Sequence, residues 1–234
     1  MNEFEGEERM KSEITIPLFP LEVVLLPGTL LPLHIFEERY KEMIGEYLAE
    51  LREFGIVYSK DEKINRVGCS AQIVELLKRY DNGEMDIITL GTDRFFIKAL
   101  DTTRAYYQPK IVPFDDDPVE ENEELNQLVQ SGIELLKDLE NITGGIWDKA
   151  PFEEESDIRK VSFLISGYDG FTPTEKQNFL EMTSTRKRIE DAVEGLKKVI
   201  QRSRLNLKIQ QTVKGNGDAK KIMMRYYMEE SQWV

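Results

Sequence analysis

The sequence predicts an α+β protein: a β-rich curled sheet or pseudo-barrel with one helix, followed by a C-terminal helical bundle ending in a long helix. Three observations predict it. Up to about Asp115, short apolar runs alternate with polar residues and are separated by Pro, Gly and Asn-Gly signals, the pattern of half-buried strands joined by turns. At Asp115 the composition shifts to the acidic run DDDPVEENEE, with Pro118 inside it. Beyond it, apolar residues recur three and four apart, the spacing of helices with one buried face. The implied division is a flexible leader over 1–12, a β-rich domain over 13–115, a helical bundle over 116–210 and a C-terminal tail over 211–234.

The stretch from Ile14 to Phe54 organises the chain. Ile14, Ile16 and Leu18 alternate with polar neighbours and read as a strand. Pro17 and Pro20 lack a backbone donor, which places them at a sheet edge or at a break near Pro20. Val23 to Leu26 read as a further β-favouring run. Pro27-Gly28 is a turn signal: proline presets the first angle and glycine accepts a positive φ at the next position. Leu30, Leu31 and Leu33 continue the apolar path, with Pro32 interrupting it. A helix is expected from about Phe36, because Phe36, Tyr40, Met43, Ile44, Tyr47, Leu48 and Leu51 form one apolar stripe.

Gly55 to Ser59 read as a strand and Lys60 to Asn65 as a charged loop. Val67, Cys69, Ala71 and Ile73 alternate as a long strand with a bend near Gly68. Asp81-Asn82-Gly83 predicts a hairpin turn, since Asn-Gly tolerates the positive φ values of a primed turn. Met85 to Leu90 return, Gly91 marks a bulge, and Arg94 to Leu100 continue the strand. Tyr106 to Val112 read as a last strand, interrupted at Pro109.

The acidic run reads as a solvated linker leading into a helix start, where acids favour the dipole. Leu125, Leu128, Val129, Gly132, Leu135, Leu136 and Leu139 then follow helix spacing, and Gly144-Gly145 stop that helix. Ser156 or Asp157 caps the next. Thr172-Pro173-Thr174-Glu175 predicts a capping box, with Thr172 at the cap and Pro173 at the first helical position. Ser184 opens a final long helix carrying Ile189, Val193, Leu196, Val199 and Ile200 on one side.

The run PLFPLEVVLLPGTLLPLHIFEERYKEMI resembles the start of the LON substrate-binding domain, the amino-terminal domain of Lon protease. The matching features are P-L-F-P-L with Pro17 and Pro20, V-V-L-x-P-G with Pro27 and Gly28, the L-P-L around Pro32, and the helix onset with Phe36, Arg39 and Tyr40. The resemblance continues to about Asp115 and, as pattern and order, through the helices to about Lys208. It implies a substrate-recognition module without catalysis, since full Lon proteases carry their ATPase and Ser-Lys protease modules after this region. The 234 residues here end before either, which implies a free-standing LON domain.

The net charge of −13 argues against a general nucleic-acid binder, which needs a basic surface. One alternative remains local: between Arg186 and Arg225 stand twelve Lys and Arg against four acids, a net +8 on the last helix and tail, which reads either as a nucleic-acid contact or as a complement to the acidic run. No apolar run approaches the ~20 residues of a membrane helix, and the polar, acidic start is unlike a secretory signal, so a cytoplasmic location is expected. The single cysteine, Cys69, excludes an internal disulfide and reads as a buried structural thiol; the single histidine, His34, lies in an apolar run and reads as structural. No nucleophile is paired with a base, so neither cofactor, metal nor catalytic residue is expected. An enzyme would need an unrecognised site in an inter-domain groove lined by Arg39, Tyr40, Glu42 or Arg94. The expected partner is a protein or unfolded polypeptide. The candidate contacts are Met223, Met224, Tyr226, Tyr227 and Trp233 of the tail, large apolar groups that adapt to varied surfaces.

Overall fold

The structure, a computed structural model, describes residues 13–50, 52–61, 63–99, 105–145 and 150–215. The strands are β1 (Ile14–Thr15), β2 (Leu18–Leu21), β3 (Leu30–Ile35), β4 (Phe54–Lys60), β5 (Lys63–Arg79), β6 (Met85–Ala99) and β7 (Lys110–Phe114). The helices are α1 (Glu38–Glu50), between β3 and β4, and then α2 (Glu123–Thr143), α3 (Ala150–Glu154), α4 (Ile158–Ser166), α5 (Pro173–Glu181) and α6 (Thr185–Gly215). The predicted class therefore stands: one curled sheet, then helices ending in a long one.

The strands follow the order β1-β7-β6-β5-β4-β2, with β3 also on β6. Strand β6 is the spine. β5 runs along one side of it, while β3 takes Met85–Leu90 and β7 takes Arg94–Ala99 on the other. The gap between β3 and β7 falls at Gly91, where the Pro27-Gly28 turn docks: Gly28 N–H donates to Gly91 O at 2.8 Å and Gly91 N–H to Thr29 O at 3.0 Å. Gly28 has φ +76°, and its turn is closed by Thr29 N–H to Leu26 O, as the Pro-Gly pair predicts.

Several expectations need correction. Val23 to Leu26 form no strand, because Leu25 and Leu26 drop into the core ahead of the docked turn. The first strand ends at Thr15 and the chain breaks before Leu18, not at Pro20; Pro20 takes the other place expected of it, at the sheet edge in β2. β2 pairs parallel to β4, a crossover carried by β3 and α1. Helix α1 starts at Glu38 because β3 holds the chain extended through Ile35; Phe36 is left outside the stripe and 59% exposed. The expected loop at 60–65 is a tight turn, with Asp61 at φ 50° and β5 already begun at Lys63. Tyr107 makes only an isolated bridge to Leu18, and β7 starts at Lys110. Helix α3 is five residues long, too short for its sequence to show a helical period. The capping box of α5 is present in full, Asp157 caps α4, and Gly144 ends α2 at φ 78°.

One core lies between the sheet and α1, with Phe19, Tyr40, Met43, Ile44, Phe54 and Ile87 in it, and Phe163 of α4 and Leu180 of α5 enter it from the helical side. A second lies within the helices, around Leu125, Leu136, Ile165, Phe179, Ile189 and Leu196.

Candidate functional site

The far half of the β5–β6 hairpin, with β3 beside it, has two unlike faces. Ile35, Met85, Ile87 and Thr89 are buried on the inner one. On the outer one, Leu30 lies opposite Leu90 and Pro32 opposite Ile88. Leu30 is 62% exposed. Strand β5 is bulged here, so that two of its residues oppose one of β6: Val74 and Glu75 against Ile88, Leu77 and Lys78 against Asp86. Val74 and Leu77 are 48% and 53% exposed. Strand β4 pairs with β5 only as far as Ala71, so Gln72–Arg79 is an open edge among the described residues. Leu30, Pro32, Val74, Leu77, Ile88 and Leu90 thus form a solvent-facing apolar strip, with Phe36 at its tip. Apolar surface gathered in this way on a folded domain marks a contact site.

The strip runs into a cleft between sheet and helices. Leu90, with Pro27, Gly28, Gly91, Pro151 and Leu164, lines a cavity of about 470 Å³. A second cavity, of about 300 Å³, shares Pro27, Thr92, Asp93 and Lys160 with the first and adds Phe114, Phe163 and Arg94. On its rim Asp157 accepts from the Arg159 backbone N–H at 2.9 Å and pairs with its guanidinium, and the Arg159 hydrogen bond holds this carboxyl below the usual range. Lys160 is 3.3 Å from Glu155.

The floor of the cleft is a buried ion network. Asp116 accepts from Arg94 of β6 through one oxygen, from Arg188 of α6 through both, and from Thr185 Oγ1 at 2.5 Å. Arg94 also donates to Leu180 O at 2.9 Å and Met182 O at 2.6 Å, taking up carbonyls at the end of α5. Arg188 donates to Met182 O and Ser162 Oγ, both at 2.8 Å. Phe163 stacks under both guanidinium groups, 3.7 Å from Arg188 and 5.1 Å from Arg94. Burial pushes both arginines down from their ordinary pKa, and Asp116 pulls them back up; they stay charged. These contacts fix how the helices sit on the sheet, and so the width of the cleft.

The family model of the ATP-dependent protease La (LON) substrate-binding domain matches residues 15–198. The chain belongs to this family. The fold of its LON domain is also that of two solved structures. The Lon N-terminal domain protein of Xanthomonas campestris is 19% identical at a TM-score of 0.61, over 77% of this chain and 98% of that one. The N-terminal domain of Mycobacterium avium complex Lon protease is 18% identical at 0.63, over 79% and 98%. Among curated relatives, Lon protease 2 of Syntrophobacter fumaroxidans is 24% identical over 97% of this chain, and Lon protease of Chloroherpeton thalassium 23% over 91%. The chain spans 30% and 26% of their lengths.

The LON domain distributes the residues singled out in its sequence. Pro17 is buried, and its carbonyl accepts from Gly55 N–H; Pro27 and Gly28 edge the cleft; Pro32 and Phe36 belong to the strip. Arg39 lies over the ring of Tyr40, which is buried against Phe19, and burial raises its phenol pKa. Arg39 and Glu42 line a hollow on α1, whereas Arg94 is locked to Asp116, so the four residues proposed for an enzyme groove do not meet. His34 is half exposed, its Nδ1 2.6 Å from Asp86 Oδ1, and Cys69 is buried. Of the basic residues on the last helix, Arg188 belongs to the buried network, and Arg186, Lys187, Lys198 and Arg204 have partners in Asn122, Asp191, Glu194 and Asp138. Met223, Met224, Tyr226, Tyr227 and Trp233 lie outside the described residues. The strip itself went unread in the sequence; the adjacent Leu76-Leu77, which breaks the period of two in β5, was its only signal. No helix among the described residues is long and apolar enough to cross a membrane, and no group of His, Cys, Asp or Glu there could hold a metal ion.

Proposed function

We propose that this LON domain is a non-catalytic polypeptide-binding module that takes unfolded segments on the β3–β6–β5 strip, and into the adjoining cleft, without ATP. The observation that carries the reading is the exposure of Leu30, Val74 and Leu77 around Ile88 and Leu90 on one face of the sheet. Membership of a substrate-binding domain family supports it. An extended segment lying along the open edge of β5 would place alternate side chains over the strip. The tail residues Met223, Met224, Tyr226, Tyr227 and Trp233 are proposed as a second, adaptable contact.

The test is the binding of a permanently unfolded, fluorescently labelled polypeptide, followed by anisotropy. The pair Leu30→Asp and Leu77→Asp is expected to weaken it about tenfold, roughly 1.4 kcal/mol, with the thermal midpoint held, since both sites are exposed. Unchanged affinity would remove the strip from the function. Unchanged affinity after deletion of residues 216–234 would remove the tail.

A further inference from the structure

The strip is bordered by more carboxylates than cations. At the cleft end, Asp93 and Glu154 are exposed and make no ion pair among the described residues. Glu155 shares Lys160, and Arg159 is held by Asp157. Glu75 is exposed in the middle, opposite Ile88, and at the hairpin end Glu84 and Asp86 flank His34. Two cations stand there: Lys78, whose nitrogen lies over the ring of Tyr80 at 4.1 Å from the centroid, and Arg79, exposed opposite Met85. The strip is therefore apolar with an excess of acid beside it, greatest toward the cleft, on a chain of net charge −13.

We propose that the segment it selects is an apolar stretch with lysine or arginine beside it. This rests on the reading of the strip as a polypeptide site and adds the class of polypeptide. Each exposed ion pair contributes roughly a 1.4- to 5-fold gain in affinity, so two such pairs separate basic from acidic segments by about tenfold. Electrostatic complementarity of this kind also speeds encounter and discriminates against like-charged partners.

The experiment uses the full chain and four labelled, unstructured peptides. Three share a five-residue apolar core and carry two lysines, two serines or two glutamates on each flank; the fourth has lysine flanks and a serine core. The expected order of affinity is lysine, serine, glutamate, with about tenfold between the extremes at low salt and a narrower spread at high salt. The pair Asp93→Lys and Glu154→Lys is expected to reduce or invert the preference. Equal binding of the lysine- and glutamate-flanked peptides, with the apolar core still required, would overturn this inference and leave the polypeptide site standing. Equal binding of the serine-core peptide, or binding of none, would overturn both.

Discussion

Asp116 and Arg188 stand 72 residues apart in the chain and meet through an oxygen and a guanidinium nitrogen with almost no solvent access. The other carboxylate oxygen holds Arg94 of the central strand and a second nitrogen of Arg188. One acid thus serves two buried cations, and the excess charge is spread over Leu180 O, Met182 O and the Phe163 ring. Removing the acid strands both arginines in a medium that cannot solvate them. Asp116→Asn, which keeps the shape and removes the charge, is expected to cost about 3–5 kcal/mol, seen as a lower denaturant midpoint. A midpoint within experimental error of the parent would mean that the carbonyls and ring suffice.

The sheet and the first turn are joined at Gly91. A Cβ built there would lie 2.2 Å from Leu26 O, inside the hydrogen bonds that dock the Pro27-Gly28 turn. The obstacle is backbone on both sides, so it cannot be relieved by a rotamer change. Gly91→Ala is expected to destabilise by about 1–3 kcal/mol and to speed amide exchange at Gly28, measured by hydrogen exchange. Gly144→Ala, where the left-handed φ alone is at stake, is the milder comparison.

Cys69 is fully buried on β5, and desolvation pushes its thiol well above the usual range. A thiolate is the reactive form, so the folded protein is expected to resist alkylation at pH 8 and to react only as it unfolds. Labelling should follow the unfolding curve across a urea series. Rapid labelling without denaturant would show that β5 opens locally.

Local signals were legible, and long-range ones were not. Thr172, Pro173 and Glu175 lie within one helical turn, so the capping box could be read from four letters and is present in full. Asn82-Gly83 marked the hairpin, but only Gly83 takes a positive φ, +83°, and its N–H closes on Tyr80 O, so the turn is not the primed one expected. Pro27-Gly28 was legible as a turn, but its docking on Gly91 depends on how β3 and β7 divide one side of β6. Asp116 stood in a run of acids and Arg188 in a run of bases. Composition reads both as solvated, and only the folded chain brings the two to one buried point. The strip was hidden for a related reason: Val74 and Leu77 face solvent because β4 stops at Ala71 and because bulges shift the alternation of β5.

Asp157 offers a pH test with a defined sign. Its side chain caps α4, and its carboxyl is held below the ordinary value by the Arg159 side chain first, with desolvation opposing and the Arg159 backbone N–H adding to the effect. A carboxyl with a depressed folded pKa binds its proton more readily in the unfolded chain. Its contribution is therefore complete above the unfolded value, near pH 4, and is lost as pH falls through the lower folded value. Both partners are partly exposed, so the ion pair itself counts for little and the cap for most. Asp157→Ala is expected to cost about 1 kcal/mol at neutral pH. Urea midpoints of parent and variant should stay a constant distance apart from pH 7 to about 5 and converge below about 4. A gap that persists through pH 3 would show that the charge of Asp157 contributes nothing, and that its effect is one of shape.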